Sequence, residues 1–106
     1  MIRDGKVAVL YSPSFGSGWT TGHYTEDPHV TDVLLFHPRI VQAVLDDKLD
    51  EVPSIVADLL PGENMYMGGA DDLAVAWLPI GTEFVVCEYD GNESIQVKDK
   101  THWITA

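Results

Sequence analysis

The 106 residues carry 17 acidic against 6 basic side chains, a formal net charge of −11 that repels phosphate and argues against binding DNA or RNA through a basic face. A 45% hydrophobic content excludes a disordered acidic tail, and the length suits one domain that needs no disulfide or metal staple. No stretch approaches the roughly 18 apolar residues of a membrane span and Met1-Ile2-Arg3-Asp4-Gly5 has no apolar signal region, so the expected location is cytoplasmic.

In chain order, the short apolar run Lys6–Tyr11, bounded by Gly5 and Ser12-Pro13, predicts a strand. Residues 12–27 follow as a long loop of Ser, Thr, Gly and Pro in which Phe15, Trp19 and Tyr24 either plug the core or form a recognition surface. Asp27-Pro28 is a helix start, with Val30, Val33 and Leu34 at helical spacing, although the run Val33-Leu34-Leu35-Phe36 also fits a buried strand. Pro38 breaks or restarts the chain. Ile40, Val41, Val44 and Leu45 then make a helical stripe running into Asp46-Asp47, where two acids oppose the helix dipole and should fray the end. Asp50 reads as the N-cap of a further helix whose stripe is Val52, Ile55, Val56, Leu59 and Leu60, stopped by Pro61-Gly62.

The remaining chain is organised around residues 73–97. Runs at 73–78, 84–89 and 94–97, rich in Val, Trp, Phe and Tyr, predict a three-stranded meander with a tight turn at Asp90-Gly91. Leu73, Val75 and Trp77 alternate with Ala74, Ala76 and Leu78, so this strand is expected to be central, with the helix at 52–59 packed on the space left by the alanines. A last short run at 102–105 would be an edge strand. The sum is an α+β domain: an antiparallel sheet of about four or five strands, with two or three helices inserted after the first strand and packed on one face.

Sites are sparse. Cys87 has no second cysteine to pair with and lies in an apolar run, which predicts a buried, inert thiol. The loop containing Gly16, Ser17, Gly18, Trp19 and Thr20 has the small residues of an anion cradle but neither a third dinucleotide-type glycine nor a P-loop ending. Its alternatives are a structural turn and a recognition loop that leaves Trp19 partly exposed. His23, His29, His37 and His102 lack the spacing that presents two metal ligands from one helix face, and no serine or cysteine triad is evident. Glu88, Asp90 and Glu93 ring one hairpin, which solvated turn chemistry explains without catalysis. No cofactor is expected. Twelve of the 17 acids, against one base, Lys48, lie between Asp46 and Glu93, and they are expected to gather into one negative face that includes Asp46, Asp47, Asp71, Asp72 and Asp90.

The Phe15-Gly16-Ser17-Gly18-Trp19-Thr20-Thr21 segment, together with Trp77-Leu78-Pro79-Ile80-Gly81-Thr82-Glu83-Phe84 and Glu88-Tyr89-Asp90-Gly91-Asn92-Glu93-Ser94-Ile95, resembles a group of small bacteriophage and prophage proteins. The resemblance covers the two ends better than the middle and brings no activity to carry over. It implies a small accessory protein acting by binding a host protein. The leading expectation is therefore stoichiometric inhibition of a basic nucleic-acid-handling or defence protein of the host, with no direct nucleic-acid or membrane contact. A small-molecule or nucleotide pocket formed by residues 16–21 with Tyr66 and Tyr89 is second, and an enzyme third.

Overall fold

Asp4 and Gly5 both adopt positive φ, 52° and 74°, and close a two-residue hairpin between β1 (Ile2–Arg3) and β2 (Lys6–Tyr11). Asp-Gly is the pair that the primed hairpin turns favour, because both central residues must enter the left-handed region. The computed structural model describes residues 1–13, 18–20, 27–61, 70–89 and 92–97. Within them β2 pairs on its other side with β3 (Ala74–Pro79), all antiparallel, and β4 (Phe84–Tyr89) pairs with β5 (Asn92–Val97) as a separate two-stranded sheet.

The fold is thus α+β, with the helices between β2 and β3 and five antiparallel strands divided over two sheets. The expected continuous meander stops after β3. Thr82 donates both its amide (3.0 Å) and its hydroxyl (2.6 Å) to the Pro79 carbonyl, with Gly81 at φ 87°, and this closed turn releases the chain into a hairpin that β5 completes. The central strand of the larger sheet is β2 instead of β3, because the Asp4-Gly5 turn supplies β2 with a second neighbour. The run at 102–105 lies outside the described residues, as does the Asp90-Gly91 pair, which the Tyr89↔Asn92 register brackets.

Two of the expected helices meet at one residue. Asp27 accepts the amide of His29 (2.9 Å) and starts α1 (Pro28–Phe36); His37 ends it and caps α2 (Pro38–Leu45) by accepting the Arg39 amide at Nδ1 (3.2 Å). The proline at N1 of each helix costs nothing there, since the missing amide would have been unpaired. Residues 33–36 are therefore helical, the first of their two readings. Asp50 does not cap a helix: it lies inside a 3₁₀ turn, Leu49–Glu51, and α3 (Val52–Leu59) follows with no side-chain cap.

The core is one cluster built from Ala8 and Leu10 of β2, Val30, Val33 and Leu34 of α1, Ile40 and Val41 of α2, and Val52 and Val56 of α3. Cross-strand partners point to one side, so Ala8 with Trp77 and Leu10 with Val75 form the face that α1 and α2 cover. The helices therefore lie over Leu73, Val75 and Trp77, opposite to the alanine face expected to receive them. α2 is the helix that meets β3, whereas α3 packs on α2, which buries Val52 and Val56 but leaves Ile55 and Leu59 half-exposed. Among the described residues no helix is long and apolar enough to cross a membrane.

The end of α2 does not fray. Lys48 donates to Ala43 (2.8 Å) and Asp47 to Val44 (3.2 Å), with Asp47 at φ 57°: the two bonds of a Schellman motif, with the left-handed position held by aspartate where glycine is usual.

Candidate functional site

Three of the loop residues singled out in the sequence are described, and Trp19 among them points into the core. Gly18 is buried at φ 77°, Thr20 is half-buried and Trp19 is 0% exposed, which overturns the expected partial exposure of Trp19. Its indole Nε1–H donates to the Leu34 carbonyl at 2.6 Å. That carbonyl belongs to the last turn of α1, whose final four C=O groups have no partner within the helix. Two others are also served: His37 donates to Val33 (3.2 Å) and the N-terminal ammonium of Met1 to Phe36 (3.4 Å). A large ring that fills the core and satisfies a helix end serves folding before recognition. Gly16 and Ser17 lie outside the described residues, as do Thr21 and Tyr66, and Tyr89 is 79% exposed on the hairpin.

Trp19 is also held by Glu93, an acid whose place at the hairpin turn predicts a solvated side chain. Glu93 is 1% exposed; its Oε1 accepts the Ser12 amide (2.9 Å) and its Oε2 the Trp19 amide (2.8 Å), while its own amide donates to the Ser12 carbonyl (2.7 Å). Asn92 adds a side-chain bond to the Pro13 carbonyl. A buried carboxylate is tolerable because these donors replace its water. The signal was available in the strand alternation: Glu93 shares a face with Ile95 and, across the hairpin, with Phe84 and Val86, the face that packs inward where Phe84 meets Phe36 edge-on at 6.2 Å. The same alternation puts Cys87 with Val85 and Tyr89 on the outer face, so the thiol expected to be buried is exposed.

The acids divide into groups. The first 3₁₀ turn, which carries Asp50 and Glu51, adjoins the second, Ala70–Asp72, which carries Asp71 and Asp72, and Asp46 and Asp47 precede the first turn at the end of α2. All six are exposed, and they make one acidic ridge with Lys48 among them. Asp58 is drawn away by an exposed ion pair to Arg39 at 3.4 Å, and Glu93 is in the interior, so the acids do not all share the expected face. Asp90 lies outside the described residues.

The two described histidines stand at opposite ends of α1. His37 is held below the ordinary imidazole value by burial, with the Arg39 guanidinium and the N-terminal ammonium adding to the effect. Its neutral form is the one that can accept the Arg39 amide. Among the described residues no group of three His, Cys, Asp or Glu side chains is placed to hold a metal ion.

The fold and these sites define a small α+β protein with a carboxylate-locked core and an acidic ridge. No family model matches the chain, and neither does any curated protein or solved structure.

Proposed function

We propose that this chain is a non-catalytic binding module that covers a basic surface of a partner protein and inhibits it stoichiometrically, with the ridge carboxylates standing in for phosphates. The observation that carries the reading is that Asp50 and Glu51 are brought beside Asp71 and Asp72, acids from separate parts of the sequence, all exposed, on two adjoining turns. Four like charges on neighbouring turns repel one another, and a cationic surface would relieve that repulsion while steering association at long range. A host protein that handles nucleic acid or takes part in defence presents such a surface, and the resemblance to small phage proteins supports that setting.

The test replaces the ridge acids that hold neither a left-handed conformation nor a side-chain hydrogen bond. Asp47 holds a left-handed conformation and Asp46 accepts from Gln42 at 2.9 Å, so the variant is Asp50→Asn, Glu51→Gln, Asp71→Asn and Asp72→Asn together. Native protein should capture a nucleic-acid-binding protein from bacterial lysate at low salt, release it at high salt, and abolish its activity at one equivalent. The variant should fold with a similar thermal transition and capture nothing. Equal capture by both proteins would return the acids to a role in solubility alone.

A further inference from the structure

Arg3 and Lys6 are direct cross-strand partners beside the Asp4-Gly5 turn. Like charges directly opposite one another on a hairpin repel. Among the described residues neither side chain has an ion-pair partner. Arg3 instead lies over the Trp77 ring, 5.7 Å from its centroid. Arg3, Lys6 and Trp77 share the helix side of the sheet, since Lys6 and Ala8 point the same way and Ala8 pairs with Trp77. With Asp4 and Leu45 they line an open surface cleft of about 370 Å³.

We propose that this cleft binds a small organic oxyanion, a carboxylate or phosphate monoester on an apolar body. The body lies against Leu45 and the Trp77 ring, and the oxyanion bridges the Arg3 guanidinium and the Lys6 ammonium, turning their repulsion into a shared attraction. Among the side chains that line it, two cations stand against the one carboxylate of Asp4. At the end of α2, where Leu45 lies, the carbonyls of Gln42, Ala43 and Val44 are taken by the amides of Asp46, Lys48 and Asp47. A guanidinium resting on an indole is preoriented, so it loses less freedom when it engages an anion. The site adjoins the acidic ridge where Leu45 meets Asp46, but shares no side chain with it and does not rest on the function proposed for it.

The test is a titration of isotope-labelled protein followed by amide and indole N–H resonances, with phenyl phosphate, benzyl alcohol and inorganic phosphate as probes. Phenyl phosphate should shift the amides of Arg3, Asp4, Lys6 and Leu45 and the Trp77 indole saturably. Benzyl alcohol and inorganic phosphate should each bind about tenfold or more weakly, because one lacks the charge and the other the apolar body. Lys6→Gln should weaken phenyl phosphate by a similar factor while leaving the thermal transition of the free protein unchanged or higher, since it removes the like-charge pair. Arg3→Lys, which keeps the charge but not the planar fork, should fall between. Equal shifts with inorganic phosphate would reduce the site to ordinary counterion attraction and overturn the proposal, as would equal affinity for benzyl alcohol, full binding by Lys6→Gln, or no saturable shift.

Discussion

The Glu93 carboxylate on β5 accepts the backbone amide of Trp19, 74 positions earlier in the chain, and in the same grip accepts the amide of Ser12 at the end of β2. One side chain thus fastens the β4–β5 hairpin, the aromatic loop and the larger sheet to each other. Glu93→Ala would strand two buried amides, at about 1–3 kcal/mol for each unsatisfied donor, so it should lower the free energy of unfolding in urea by about 2–6 kcal/mol. Glu93→Gln keeps the shape but turns one acceptor into a donor facing an N–H, and should lose an intermediate amount. Equal stability of Glu93→Ala and native protein would show that the carboxylate is not the fastener.

Trp19 is expected to behave as a folding residue. Trp19→Ala removes the largest side chain of the core and should cost about 3–5 kcal/mol, whereas Trp19→Phe keeps most of the volume and loses chiefly the bond to Leu34. Urea denaturation separates the two. A Trp19→Ala protein that keeps its native denaturation midpoint while losing partner capture would instead make the loop a recognition element.

These residues also show what the sequence made legible. The α+β class, the two proline-started helices and the split at Pro38 follow from local rules, because caps and periodicity act within a few residues. Asp4-Gly5 carries the same hairpin signal as Asp90-Gly91, but β1 is only two residues long and offers no strand pattern of its own. The grouping of strands into two sheets was not readable, since pairing depends on where turns such as 79–82 send the chain. The burial of Glu93 and the exposure of Cys87 both follow once the β4–β5 register and its inward face are known. A two-residue turn at Asp90-Gly91, as the sequence predicts, already sets Tyr89 opposite Asn92 and Glu88 opposite Glu93, so the register was legible, whereas which face of the hairpin turns inward depends on the rest of the fold. Trp19 remained ambiguous because only the fold places the orphan carbonyl of Leu34 beside its indole.

His37 gives a pH dependence with a definite sign. Its native pKa lies below the ordinary 6.5, so the unfolded chain takes up the proton more readily than the native state as pH falls. The stability it contributes is complete above 6.5 and is lost as pH falls from there through the lower native value. Asparagine at this position keeps a side-chain acceptor for the Arg39 amide without titrating. Thermal midpoints of native protein and His37→Asn should therefore run parallel at and above pH 7, and the native curve should drop relative to the variant below pH 6.5. Parallel curves throughout would remove His37 as the source.

Asp47 is the residue whose replacement should stabilise the protein. It holds the left-handed position of the Schellman motif at φ 57°, a conformation that costs a residue with a Cβ and costs glycine nothing. Asp47→Gly should raise the free energy of unfolding by about 0.5–1 kcal/mol, allowing for the extra freedom glycine gives the unfolded chain. Asp46 at φ −87° has no such strain and caps the helix end, so Asp46→Gly should destabilise. Removing a negative charge from a helix C-terminus is itself favourable, and Asp47→Asn isolates that effect because asparagine tolerates the left-handed region about as well as aspartate. A gain for Asp47→Gly beyond that of Asp47→Asn in thermal unfolding assigns the remainder to backbone strain, and equal gains assign it to the helix dipole alone.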